Sequence, residues 1–260
     1  MTTTAKQAGD ALKTLIEDSI RYAPRSLQTT IGPSEIGMEC DHCLAAKLAG
    51  WVKTEPTVGW LPFIGTCVHA YYEELFTKLN RETPGADKQP VFLCENRVTV
   101  GEIDGKPITG STDLFLPDQY GLAETGMTVD WKIVGKSTLD RVKRNQNPGR
   151  KYEVQAHLYA RGWNLAGYPT SHVCVYFQPR NSLTLDDGYI WIAEYDEQIA
   201  LDGLARVERM LKNIRALETV SKDARDKWIT SLPREQGCFD CAKYPDFHTT
   251  LGQVFNKKGF

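Results

Sequence analysis

Two Cys-x-x-Cys pairs, Cys40/Cys43 and Cys238/Cys241, stand near opposite ends of this 260-residue chain. A two-residue spacer lets both sulfurs of a pair reach one metal, so two such pairs are a strong four-thiolate signal. The pairs can meet only if the fold brings its two ends together. No other feature restricts the topology as much. A zinc ion or an iron–sulfur cluster could occupy such a site. Thiol redox chemistry is the third reading, although neither pair lies in a thioredoxin-like setting. The remaining cysteines, Cys67, Cys94 and Cys174, lie in apolar surroundings and are expected in the core.

At 41% hydrophobic and 25% charged residues, the chain can bury an ample core. Its formal net charge of -2 excludes a molecule that is cationic throughout, so any nucleic-acid site must be a local patch. The start, MTTTAKQAGDALKTL, lacks a charged region followed by an apolar one, which argues against a signal peptide. No apolar run approaches the length of a membrane span, so no membrane partner is expected.

Along the chain, residues 1–30 read as a polar helix and a link. Residues 34–50 read as one helix carrying the first cysteine pair, and 51–62 as a loop. A helical pattern follows over 63–79, with Val68, Tyr72, Leu75 and Leu79 expected to face the core. The period then changes to that of strands, at 91–100, 107–116 and 123–134, the first two joined by the tight-turn pair Asp104-Gly105. A helix over 152–166 ends at Gly167. Strands over 171–178 and 189–195 precede a long helix capped by Asp196, whose Ile199, Leu204, Val207, Leu211 and Ile214 form an apolar stripe. The order predicts an α/β fold around a mixed sheet.

The chemistry-bearing residues cluster on the middle strands. Alternate strand residues share a face, so Asp130 and Lys132 point one way and Val129, Trp131 and Ile133 the other. If the 107–116 and 123–134 strands pair, Asp113 converges with Asp130. Hard oxygen ligands of this kind suit Mg²⁺ or Mn²⁺, and Lys132 beside them can orient a water and stabilise charge on a phosphate. Gly110 allows a close backbone approach. A bare D-x-K string is common and by itself reads as an exposed strand pair.

The order G-x-x-D (Gly110 to Asp113), D-x-K (Asp130 to Lys132) and Q-x-x-x-Y (Gln155 to Tyr159) resembles the PD-(D/E)XK nuclease superfamily, and within it the RecB-like branch. The resemblance implies a restriction-endonuclease-like core and a set of roles. Asp113, Asp130, Lys132, Gln155 and Tyr159 would be the catalytic set, with Gln155 at the site rim and Tyr159 near the DNA. His69, Asp113, Asp130 and the backbone carbonyl of Ile133 would bind the metal. With cysteines from both ends, the chain is similar to the CRISPR-associated exonuclease family and its phage relatives. They carry a [4Fe–4S] staple, so Cys40, Cys43, Cys238 and Cys241 would hold such a cluster, with Zn²⁺ as the alternative. The departure is two early and two late cysteines instead of one and three, with His248 near the expected last position. The resemblance covers residues 34–250. It implies one nuclease domain over 1–260: an N-terminal helical part (1–62), a core (63–220) and a tail (221–260). A cytoplasmic location is expected, in the host if the chain is phage-encoded.

Between residues 132 and 151 the basic residues Lys132, Lys136, Arg141, Lys143, Arg144, Arg150 and Lys151 are opposed only by Asp140. Such a run is often a solvated face, but its place beside the D-x-K strand favours phosphate contact. No base-reading motif is visible, so sequence-independent DNA binding is expected. Trp51, Trp60 and Tyr120 could stack on bases, but each is expected to be buried. The reading is a metal-dependent DNA exonuclease acting in recombination, repair or processing, with a homo-oligomer or recombination proteins as further partners. Its rivals are a non-catalytic DNA-binding protein with a zinc clasp and an RNase on the same fold.

Overall fold

The computed structural model describes residues 4–22, 30–53, 58–85, 88–117 and 126–244. Tyr120 and His248 lie outside them. The architecture is the expected one, a mixed sheet flanked by helices, with the four cysteines of the two ends brought together. Five strands stand in chain order: β1 (Leu93–Ile103), β2 (Lys106–Leu116), β3 (Gly126–Val134), β4 (Thr170–Pro179) and β5 (Tyr189–Glu194). Among the described strands, only β3 and β4 run parallel. A parallel neighbour needs a crossover, and it is made by α5 (Lys136–Asn145) and α6 (Arg150–Leu165). The β1–β2 hairpin turns on Asp104 and Gly105, both at positive φ (54° and 67°), as a two-residue turn of this hand requires.

Helix α4 (Trp60–Glu82) covers one face of the sheet. It starts three residues before the expected boundary, because Pro62 falls in its first turn, where a missing N–H costs nothing. His69, Tyr72, Phe76 and Asn80 fall on one line of the helix. Tyr72 and Phe76 pack on Trp131 of β3, with ring centroids 5.2 and 5.9 Å away. The Asn80 side chain bonds the Phe92 carbonyl and the Val91 and Phe92 amides at 2.7–2.9 Å. The covered face thus takes in the expected Val68/Tyr72/Leu75/Leu79 line, all half-buried, and extends one residue round to His69, Phe76 and Asn80. No residue of α4 is fully buried. Cys67, two residues from His69 and so about 200° round the helix, is exposed, against its expected place in the core. Cys174 is buried and Cys94 half-buried.

The other face of the sheet carries α6, with α7 (Glu197–Val220) and α8 (Lys222–Ser231) outside it. Asp196 caps α7 by accepting from the Gln198 amide at 2.8 Å. The early segment lies in this layer. It is broken into α2 (Pro33–Ile36) and α3 (Asp41–Leu48) instead of one helix over 34–50, with Gly37 ending α2 and Cys40 capping α3. Arg206 of α7 pairs with Asp41, and Trp51 Nε1 donates to Asp226 of α8 at 3.0 Å. Preceding them, α1 (Ala5–Arg21) is mostly exposed. No helix among the described residues is long and apolar enough to cross a membrane.

Candidate active site

The β2–β3 ladder stops at Leu114↔Val129. One residue further, the Asp113 side chain replaces the strand: its Oδ2 accepts from the Trp131 amide at 2.7 Å. Its Oδ1 lies 3.1 Å from Nδ1 of His69, which the aromatic packing of α4 holds over this point. Asp130 and Lys132 share the α6 face of β3, as alternation dictates. Lys132 Nζ is 2.5 Å from Asp130 Oδ2, with side-chain exposures of 17% and 4%. Gln155 of α6 donates from Nε2 to Asp130 Oδ1 at 3.0 Å. Both Asp130 oxygens are therefore engaged. The Lys132 ammonium also sits 5.6 Å from the centroid of the Tyr152 ring, a cation–π contact that sequence reading did not foresee.

Burial comes first in the electrostatics of the cluster. It pushes the Asp130 carboxyl up to about 6, against the pull of Lys132 and with the push of Asp113. For Lys132, burial works downward, but Asp130 and Asp113 outweigh it and hold the ammonium above its ordinary value. His69 is likewise raised: burial opposes charge, and Asp113 and Asp130 more than offset it.

The other expected residues fall as follows. Tyr159 is 6% exposed and lies in the core, its ring against the backbone of Gly110. Ile133 follows Lys132 on β3 in register with Gln178. Trp51 is buried, whereas Trp60 is 55% exposed and pairs with Phe63, not in the core as expected. Lys136, Arg141, Lys143 and Arg144 belong to α5, and Arg150 and Lys151 open α6. Lys136 pairs with Asp140 at 3.2 Å. Arg141 and Lys151 line a cavity of about 140 Å³ with Tyr152, Glu39, Glu235 and Asp240, so the basic run partly faces carboxylates.

Among the described residues, two groups could hold a metal. The first is His69, Glu95 and Asp113, whose donor atoms lie within 4.8 Å of one another. Glu95 was not singled out from the sequence. A hairpin turning on Asp104-Gly105 would by itself set Glu95 opposite Leu114; the irregularity between Thr99 and Gly101 shifts the register by one and brings Glu95 opposite Asp113, so the turn pair alone could not have found it. The second is Cys40, Cys43, Cys238 and Cys241. Their Sγ atoms stand 3.4 Å (Cys40–Cys241), 3.5 Å (Cys43–Cys241) and 3.7 Å (Cys43–Cys238) apart. Burial pushes the Cys241 thiol up to about 12 and Cys43 higher still. At Cys40 backbone hydrogen bonds at Glu235 and Cys43 offset burial and hold the thiol below its usual value.

No protein-family model matches this sequence, and neither does any curated protein. Solved structures similar to it include an alkaline exonuclease from Laribacter hongkongensis, at 14% identity over 53% of this chain and 64% of that one (TM-score 0.37). The chain spans just under two thirds of that protein. The protein SSO0001 is similar at 13% identity over 78% and 85% of the two chains (TM-score 0.44). A candidate exonuclease from Eubacterium rectale is similar at 16% identity over 93% and 92% (TM-score 0.44).

Proposed function

We propose that this chain is a divalent-metal-dependent nuclease that hydrolyses DNA phosphodiesters, with an exonuclease as the preferred form. The observation that carries the reading is the convergence of His69, Asp113, Asp130 and Lys132 where β2 parts from β3. His69 and Asp113 offer an imidazole nitrogen and a carboxylate oxygen 3.1 Å apart, donors that fit a divalent ion, with the buried Asp130 carboxylate on the neighbouring strand. When bound, Mg²⁺ or Mn²⁺ polarises the phosphate and acidifies a water.

The chain's own residues do the rest. The Trp131 amide fixes Asp113, and Gln155 fixes Asp130, so neither carboxylate needs to reorganise as charge develops. Lys132, charged and held by Asp130, can orient the attacking water and meet the charge that grows on the phosphate. Half-buried Lys143 and exposed Arg144 on α5, with exposed Arg150, are proposed to contact phosphates without reading sequence.

The four cysteines are proposed to hold a structural metal. An ion with Zn–S bonds of about 2.3 Å sets its sulfurs about 3.8 Å apart. In a four-iron cube each thiolate has its own iron and the sulfurs stand farther apart. Spacings of 3.4–3.7 Å support a single tetrahedral zinc. Metal analysis of protein purified without oxygen separates the two: one zinc and no colour, or iron with sulfide and absorption near about 400 nm.

The test of the main reading is end-labelled single- and double-stranded DNA incubated with Mg²⁺, Mn²⁺ or chelator. Cleavage that needs the ion and is lost in Lys132→Met supports it. A metal-loaded, folded parent protein that cleaves neither substrate overturns it.

A further inference from the structure

We propose that Glu95 is a metal ligand of this centre, completing with His69 and Asp113 a three-sided cage of one nitrogen and two carboxylates. The inference rests on the preceding reading that the centre binds a divalent cation. It extends that reading to a residue outside the ordered motifs.

The hairpin register is the first support. Between the pairs Cys94↔Leu114 and Asn96↔Thr112 stand Glu95 and Asp113, carboxylate facing carboxylate on neighbouring strands. Like charges directly opposed across an antiparallel pair destabilise it. A divalent cation between Glu95 and Asp113 turns the repulsion into attraction.

The second support is where the donor atoms lie. Those of His69, Glu95 and Asp113 are mutually within 4.8 Å, and all three residues are half-buried. At metal–ligand bonds of about 2.0–2.3 Å, ligands of one ion lie up to about 4.6 Å apart. Asp130 is outside this trio, its oxygens taken by Lys132 and Gln155. The cage and the Asp130–Lys132 pair thus divide the site, with Asp113 adjoining both.

The backbone agrees. Glu95 is a non-glycine residue at φ 50° within a strand, which breaks the alternation of side chains there. The same turn of the chain that interrupts β1 brings a carboxylate to His69. One imidazole with two carboxylates also suits Mn²⁺ better than Mg²⁺, since nitrogen ligands favour the later metal.

The experiment needs no DNA. Mn²⁺ affinity and stoichiometry are measured by electron paramagnetic resonance on the full chain and on Glu95→Gln, with Glu102→Gln of the same strand as control. Thermal melts are run in chelator and in Mn²⁺. Glu95→Gln should bind Mn²⁺ at least about tenfold more weakly, as loss of a first ligand should cost no less than loss of an outer-shell partner. It should gain less in melting temperature from Mn²⁺ than the parent does. The control should match the parent. Mn²⁺ affinity unchanged in Glu95→Gln overturns the inference while leaving the nuclease reading standing. A parent protein that binds no Mn²⁺ at this centre sinks that reading first. If Glu95→Gln does not fold, Glu95→Asp, which keeps the charge but shortens the reach, takes its place: unaltered affinity there, with an unaltered parent-like melt in Mn²⁺, likewise overturns the ligand role.

Discussion

Removing Asp130 should unfold the protein as readily as it silences it. Asp130 and Lys132 are 4% and 17% exposed as side chains, and their charged atoms are 2.5 Å apart. Breaking a buried pair by removing one partner costs about 3–5 kcal/mol, because the remaining charge keeps its desolvation and loses its attraction. Asp130→Ala also strips the acceptor from Gln155 Nε2, a side chain only 4% exposed. Lys132→Met costs less, since Asp130 keeps the Gln155 donor. The double variant Asp130→Ala/Lys132→Met leaves no lone charge and should be more stable than Asp130→Ala alone. Domains have about 5–15 kcal/mol to lose, so the single variant can fall close to the folding limit. Urea unfolding of all four proteins in chelator, followed by circular dichroism, gives the coupling directly. If Asp130→Ala stays within about 1 kcal/mol of the parent, or if the two single effects merely add, the pair is not the buried unit inferred from its exposure.

Gly110→Ala places a methyl 2.8 Å from Pro33 Cγ and 3.0 Å from Tyr159 Cε1. It should cost about 1–3 kcal/mol in a thermal melt, with activity following the folded fraction. His157 accepts from the Asp196 amide through Nδ1, and burial holds its pKa below the ordinary value. The unfolded chain therefore binds the extra proton, and stability is lost as pH falls below about 6.5 toward the depressed folded value, by at most about 1.4 kcal/mol per pH unit. Melts of His157→Gln from pH 7.5 to 5 should lack this component; an identical slope in parent and variant would refute it. Lys143→Ala with Arg144→Ala should weaken binding to all DNA sequences alike and flatten log K against log salt by about one unit per lost contact. An unchanged slope in a binding titration returns α5 to a solvated surface.

The hairpin, the α7 stripe, the shared face of Asp130 and Lys132 and the meeting of the cysteines were legible because each depends on a local period or a short spacer. Gln155, singled out by the order of the motifs, donates to Asp130 from α6. What escaped depends on neighbours. Helix α5 buries only Leu139 and Val142, and α8 only Ile229, too few apolar positions to set a period. Gly37 and Cys40 divide α2 from α3 because the chain must pass close to the start of α6: a Cβ at Gly37 would lie 2.8 Å from the Lys151 carbonyl. The expected Val68/Tyr72/Leu75/Leu79 line of α4 is half-buried, and aromatic contact with Trp131 extends the covered face to Phe76, which apolar spacing alone did not show. Glu95 was passed over because its meaning lies in the strand across from it.

The joining of the two ends also orders events during synthesis. Ile36, Cys40, Cys43 and Leu44 are completely buried, against partners that include α6, α7 and α8. Cys43 leaves the ribosome 195 residues before Cys238. At about 5–20 residues per second that is a wait of roughly 10–40 s. During it the segment around Cys43 lacks the finished surface that will cover it, and the strands bearing Asp113, Asp130 and Lys132 emerge part-way through. The second thiol pair arrives among the last described residues, so the nascent chain carries Asp113, Asp130 and Lys132 before its four cysteines can meet.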